Sequence, residues 1–144
     1  MKTWILVSSA YAARLFESHG PNDPWQELET WRNPPDRLRR QDLLTDRPGR
    51  IAGLANAQRT AYAMPSDPKE QVEAEFASTL VEVLVRGLDA RKFDRILLVA
   101  PPHFMGLLRK CEPQRLTEVV NREILKDLTH EAMPELQRHV NALM

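Results

Sequence analysis

Residues 67–102 read DPKEQVEAEFASTLVEVLVRGLDARKFDRILLVAPP, and this stretch decides the fold. It opens with the signals of a helix start. Asp67 is a good N-cap, Pro68 suits the first helical position, and Glu70 has the spacing of a capping box. Apolar residues then recur at helical spacing over the next twenty positions, so the sequence predicts a long amphipathic helix over residues 68–90.

Strands are predicted on both sides of this helix. The run RILLVA at 95–100 and the run WILV at 4–7 are short and apolar throughout, which is typical of strands buried on both faces. We expect these two strands to be parallel, with the long helix as part of the crossover. Between them in sequence, residues 13–17 predict an antiparallel return strand. Residues 25–32 predict a third strand, although their Glu and Leu content also fits a short helix.

The remaining elements are shorter. In chain order we expect a short helix, a turn or helix, an edge strand and a terminal helix, at residues 104–110, 114–119, 119–125 and 134–143. The predicted class is therefore α/β, with a ribonuclease-H-like mixed sheet in the order β-β-β-α-β-α-β-α and helices packed on it. A long basic loop separates the third strand from the long helix, and residues 1–144 are expected to form a single domain.

Composition narrows the function classes. The 144 residues carry 20 Lys plus Arg and 20 Asp plus Glu, so the whole chain has no excess charge to attract a polyanion. The apolar run at 4–7 is too short for a signal peptide or a bilayer span, and the single cysteine permits no internal disulfide. We expect a cytoplasmic protein without a membrane partner.

The charge is concentrated between Arg32 and Arg59, at the border and in the first part of the loop at residues 33–67. Seven arginines and no lysine lie in that stretch, against three aspartates: Arg32, Arg37, Arg39, Arg40, Arg47, Arg50 and Arg59, with Asp36, Asp42 and Asp46. Arginine favours bidentate recognition of phosphate or carboxylate, and arginine-rich segments are one means of binding RNA. The alternative is that these arginines pair with the aspartates or with an acidic helix face formed by Glu70, Glu73 and Glu75.

Other side chains give weaker signals. The two central strands contain no Asp or Glu, which argues against a two-metal nuclease, and the four histidines lack metal-ligand spacing, so we expect neither metal nor cofactor. His103 is a candidate because it follows the carboxyl end of the fourth strand, although it also fits a helix cap. Trp31 is a candidate stacking residue beside the basic loop, whereas Trp4 and Cys111 are expected in the core.

Several ordered motifs resemble one family. They are WILVSSAYAARLFE at 4–17, DRPGR at 46–50, DPKEQVEAEFASTL at 67–80, ILLVAPPHFMGLLRK at 96–110 and EILKDLTHEAMPEL at 123–136. Together they resemble the bacterial host attachment proteins, described as required for attachment to host cells. That family is in turn similar to the middle domain of archaeal and eukaryotic peptide-chain release factors, which implies a ribonuclease-H-like fold.

The resemblance implies a role in translation. In release factors the equivalent loop carries Gly-Gly-Gln, which helps water to cleave peptidyl-tRNA, but here the loop has no such motif and offers only Gln58. We therefore expect a domain that binds RNA, on the ribosome or tRNA, with Arg39, Arg40, Arg47, Arg50 and Arg59 as phosphate contacts. Two alternatives stay open, a peptidyl-tRNA hydrolase using Gln58 and a non-enzymatic module that binds a protein partner. The edge strand at 119–125 also leaves a homodimer open.

Overall fold

A computed structural model describes residues 1–20, 22–34 and 68–143, and within these ranges it contains five strands and four helices. The strands are β1 (Thr3–Ser8), β2 (Ala12–Ser18), β3 (Gln26–Arg32), β4 (Arg95–Val99) and β5 (Val120–Ile124). The helices are α1 (Pro68–Asp89), α2 (Pro102–Cys111), α3 (Gln114–Thr117) and α4 (Glu135–Leu143). Every predicted element is present, with ends that move by at most two residues. The predicted N-cap, Asp67, lies outside the described residues.

The strands form one mixed sheet in the order β3-β2-β1-β4-β5. β1 is antiparallel to β2 and parallel to β4, with Trp4 opposite Ile96, while β4 is parallel to β5. The predicted α/β class, the parallel pairing of β1 with β4 and the edge position of β5 are confirmed. Residues 26–32 form a strand and not the alternative helix, because their backbone pairs along the length of β2.

Helices cover both faces of this sheet, which explains why β1 and β4 are apolar at every position. Successive side chains of a strand point to opposite faces, so Trp4 and Leu6 enter one core cluster while Ile5 and Val7 enter another. The first cluster packs under α1, α2 and α3, and the rings of Phe76 and Phe104 lie 5.9 Å apart there. The second cluster packs under α4.

The end of α1 has a Schellman motif with an unusual residue. The backbone N–H of Lys92 donates to the Gly87 carbonyl at 2.9 Å, and that of Arg91 donates to the Leu88 carbonyl at 3.0 Å. This pattern needs a left-handed residue at the position of Arg91, whose φ is 57°. Glycine is the usual choice because it has no Cβ to strain the backbone, so an arginine here has a conformational cost.

The acidic residues Glu70, Glu73 and Glu75, the alternative partners of the arginines, differ in exposure, because Glu73 is only 7% exposed. The reason is the helical period: Glu73 lies one turn before Ala77, on the stripe that packs against α2. Whether the arginines pair with them stays untested, since the residues at 35–67 lie outside the described ones. Among the described helices, none is both long and apolar enough to cross a bilayer.

Candidate functional site

The strands β1, β3, β4 and β5 all end at one edge of the sheet, which we call the carboxyl edge. Their last residues are Ser8, Arg32, Val99 and Ile124. The helices α1 and α2 begin at this edge, since Glu73 near the start of α1 lies beside His103 near the start of α2. In α/β proteins, ligands bind outside the carboxyl ends of the strands. The carboxyl edge is therefore the candidate functional site.

Buried polar groups fix the chain where β3 leaves the sheet. The Asn33 amide Nδ2 donates to the Ala10 carbonyl at 2.9 Å, and the Asn33 backbone N–H donates to the Tyr11 carbonyl at 2.8 Å. The turn itself is closed by the Ser9 N–H, which donates to the Ala12 carbonyl at 2.8 Å. Asn33 is 3% exposed, so these bonds hold it to the β1–β2 turn. The segment that follows Pro34 thus departs from a rigid point.

His103 stands against a buried carboxylate at the same edge. Its Nε2 lies 3.4 Å from Oε2 of Glu73, while two-thirds of the imidazole side chain is open to solvent. The contact with Glu73 orients the exposed imidazole at this edge. The pair presents an exposed, orientated donor at the edge. The prediction that His103 follows the carboxyl end of β4 at a helix start is confirmed. The sequence placed Glu73 on an acidic helix face and did not predict its burial beside His103.

The aromatic residues at this edge differ in exposure. Trp31 is partly buried and packs against the first core cluster, opposite Ala13 of β2. Its role as a stacking residue stays a prediction. Tyr11, at the tip of the β1–β2 turn, is 45% exposed and lies beside Asn33. Sequence reasoning missed Tyr11, although an aromatic residue in a tight hairpin turn is a signal of exposure.

The basic residues predicted to contact phosphate are mainly outside the described residues. This applies to Arg39, Arg40, Arg47, Arg50 and Arg59, and also to Gln58. Their flanks are described: the described residues end at Pro34 after β3 and resume at Pro68, the first residue of α1. Around this point both signs of charge are present: the exposed cationic or protonatable side chains include Arg32, Lys69, His103 and Lys126, and the acidic residues include Glu70, Glu73 and Asp127.

The groups with shifted pKa values lie away from this edge, where α2 ends. Burial raises the pKa of the Cys111 thiol, and the neighbouring Glu112 carboxylate raises it further. A raised pKa lowers the thiolate fraction, so Cys111, which is partly buried against the first core cluster, is a poor nucleophile. Burial likewise raises the pKa of Glu112. Within residues 1–20, 22–34 and 68–143, no three His, Cys, Asp or Glu side chains come together in a way that could hold a metal ion.

The comparison with known families agrees with the motifs. A family model described as "Protein required for attachment to host cells" matches residues 4–140, which is nearly the whole chain. The match includes every strand except the first residue of β1, and it spans both flanks of the carboxyl edge. No curated protein matches the chain.

Proposed function

Because the chain belongs to the family of proteins required for attachment to host cells, we propose that it is the RNA-binding domain of that family and acts on the ribosome or tRNA. The observation that carries the proposal is where the arginine-rich segment is attached. Six arginines between positions 37 and 59 follow Asn33, which is fixed by two hydrogen bonds at the carboxyl edge. The edge that commonly binds ligands in α/β folds therefore carries the strongest basic segment of the sequence.

The described residues of the carboxyl edge support recognition of RNA over recognition of a carboxylate. Tyr11 offers an exposed ring on which an unstacked base can lie, and such stacking contributes about 1–3 kcal/mol per base. His103, backed by Glu73, offers a donor for a phosphate oxygen. Arginine forks at 39, 40, 47, 50 and 59 would add bidentate phosphate contacts.

We also propose the finer fold assignment, a ribonuclease-H-like domain related to the middle domain of peptide-chain release factors. It is supported by the strand order β3-β2-β1-β4-β5, with three antiparallel strands followed by a helical crossover and two parallel strands. The arginine-rich segment then occupies the position of the release-factor catalytic loop. A translation partner implies a cytoplasmic location, which is part of the proposal.

Binding is proposed ahead of catalysis. Positioning a water molecule requires a tightly turned backbone, and the Ala57-Gln58 sequence lacks the adjacent glycines that permit it. If the protein hydrolyses peptidyl-tRNA, stalled ribosomes will release labelled peptide, and release will fall in the Gln58→Ala variant. A non-enzymatic role through a protein partner predicts co-purification without any ribosomal component.

The test is a filter-binding titration against tRNA and intact ribosomes at two salt concentrations. We expect a Kd in the micromolar range or below at low salt and at least a tenfold loss in the Arg47→Ala/Arg50→Ala variant. The dependence of log K on log salt should also flatten by about one to two units, since each phosphate contact releases roughly one counterion. Tyr11→Ala should weaken binding without changing the salt dependence.

The matched control is Arg122→Ala/Arg138→Ala, which removes the same charge from exposed positions on β5 and α4. It should leave the affinity within about twofold of the original, because these arginines lie outside the carboxyl edge. No binding to either RNA at low salt, or equal losses in the two double variants, would show that the arginine-rich segment does not bind RNA.

A further inference from the structure

A cavity lies at the opposite end of the sheet from the carboxyl edge, and we call it the amino-edge cleft. It has a volume of about 670 Å³, in the range of small-molecule sites. One wall is the last part of α1, with Val83 and Gly87, and the other is formed by Leu15 of β2 and Leu28 of β3. The cleft exists because α1 lies over β1 and leaves the outer strand exposed: none of the β3 residues is fully buried.

Trp4 forms the deep part of the amino-edge cleft and carries an unsatisfied donor. The side chain is 6% exposed and is held by Phe93, with ring centroids 4.6 Å apart. Its indole Nε1 is buried and has no hydrogen-bond partner among the described residues. Because Nε1 is itself buried, a ligand in the cleft contacts the carbon atoms of the Trp4 ring and not this donor.

Cationic side chains surround the mouth of the amino-edge cleft. Four of its lining residues are basic, and among the described residues only Arg86 forms an ion pair, with Glu82 at 2.9 Å. The other three are Lys2, Arg91 and Lys92. Basic residues at a helix C-terminus also interact with the helix dipole, but that does not account for Lys2, which precedes β1.

The backbone of Arg91 provides an independent argument. Its left-handed φ of 57° would suit glycine better, so the chain keeps a guanidinium at a position where it strains the fold. Strain retained at the mouth of a cavity is typical of a side chain that has a binding role. The carboxylates Glu17 and Glu29 line the same cleft, and these two against its four basic residues leave a net charge of +2, which suits a ligand with one anionic group better than a polyanion such as RNA.

We propose that the amino-edge cleft binds a small organic anion: one phosphate or carboxylate group on a flat, largely apolar body. The charged group lies at Lys2, Arg91 and Lys92, and the flat body lies between Leu28 and Val83, against the Trp4 ring. This site is distinct from the RNA-binding edge and does not depend on it.

The experiment uses the full chain and the probe anilinonaphthalene sulfonate, an aromatic anion whose fluorescence rises on binding. We expect one saturable site and a shift of the Trp4 indole cross-peak in a nitrogen–proton correlation spectrum. The three indole signals are assigned with Trp25→Phe and Trp31→Phe, which leave Trp4 in place. The double variant Arg91→Gly/Lys92→Gln should raise the probe's Kd at least tenfold. Arg91→Gly keeps the helix end intact, so a loss of binding cannot be ascribed to misfolding if the Tm is maintained.

Competition identifies the chemistry of the ligand. Adenosine monophosphate tests the phosphate source and indole acetate the carboxylate source, with adenosine and tRNA as the neutral and polyanionic controls. Displacement by either small anion, but by neither control, is the expected result. The proposal is overturned if neither anion displaces the probe or if the Trp4 signal does not move. It is also overturned if the control variant Arg122→Gln/Lys126→Gln raises the probe's Kd as much as the cleft variant does. Because tRNA binding is measured separately, this result and the RNA result can fail independently.

Discussion

Among the described residues, two glycines lie within helices, and they differ in how much space a side chain would have there. A Cβ built on Gly87 of α1 would lie 2.5 Å from both Cη2 and Cζ3 of Trp4, a distance that real Cβ atoms do not reach. Glycine is therefore required for the close approach of the Trp4 ring to α1. Gly87→Ala should lower the free energy of unfolding by about 1–3 kcal/mol, the usual cost of overpacking a core. Urea denaturation measures it.

Gly106 of α2 is the matched control, because a Cβ there would meet no atom within 4 Å. Gly106→Ala should stabilise the protein by about 0.5–1 kcal/mol, since alanine restricts the unfolded chain and favours the helix. A loss of stability in both variants would mean that the packing of Trp4 is not the cause. A gain in both would mean that the Trp4 ring moves freely away from α1.

The pKa of Glu112 makes stability depend on pH. Burial raises this pKa, the Glu123 carboxylate adds to the shift, and the hydrogen bond that Thr117 Oγ1 donates to Oε2 at 3.1 Å opposes it. Because the folded-state pKa lies above the unfolded value, the contribution to stability is full below the unfolded pKa. It is lost as the pH rises through the folded-state pKa.

Glu112→Gln should therefore gain stability relative to the original protein as the pH rises, since the glutamine keeps an acceptor for Thr117 and has no charge to bury. Urea midpoints between about pH 4 and pH 8 bracket the carboxyl range and test this. Glu118→Gln, at an exposed position just after α3, is the control and should show no such trend. An advantage that shrinks with rising pH would contradict the assigned direction of the shift.

At the scale of elements, the sequence predicts most of the fold because each element has a local cause. β1 and β4 read as buried strands since they are apolar at every position, and α1 reads as a helix from its period alone. The nature of β3 was ambiguous, because its strand conformation comes from pairing with β2 and not from its own residues. The burial of Glu73 depends on α2 and is likewise a tertiary effect.

The candidate site is predictable to a lesser degree. His103 could be placed from one rule, that residues after the carboxyl end of a buried strand lie at the binding edge. Tyr11 could not be ranked against Trp31, because the exposure of each depends on which face of the sheet is covered. No pattern in the sequence indicated the amino-edge cleft. The cleft arises because α1 does not extend over β3, which depends on how the helix packs on the sheet.

The outer strand β5 gives a prediction about self-association. Its central residue, Arg122, is exposed, and full antiparallel pairing of two β5 strands would place Arg122 opposite its own copy. Like charges directly opposite each other destabilise a strand pair, so Arg122 protects the edge. Arg122→Val should raise the dimer fraction in sedimentation experiments, whereas Arg138→Val on α4 should leave it unchanged. The prediction is contradicted if the original protein already forms a stable dimer and Arg122→Val does not raise the dimer fraction. The charge of Arg122 would then not protect the edge of β5.

At the scale of the whole molecule, the two core clusters share the same backbone. β1 and β4 send alternate side chains into both clusters, so neither cluster can be lost while the strands remain paired. The described residues should consequently unfold in one cooperative transition, as expected for a single domain of this size. The alternative is that α4 and the second cluster detach first, leaving α1 and α2 on the sheet.

The Trp25→Phe background separates these alternatives. Trp25 belongs to the second cluster, where its ring centroid lies 5.4 Å from that of Phe16. Without Trp25, the remaining tryptophan emission comes from Trp4 in the first cluster and from Trp31, which packs against it. Leu136→Ala, in α4 and fully buried in the second cluster, should cost about 2–5 kcal/mol. If the protein unfolds as one cooperative unit, the cavity left by Leu136→Ala lowers two denaturation midpoints equally. One is measured by the fluorescence of Trp4 and Trp31, and the other by circular dichroism. If the emission midpoint stays fixed while the dichroism splits into two steps, the sheet does not couple its two faces.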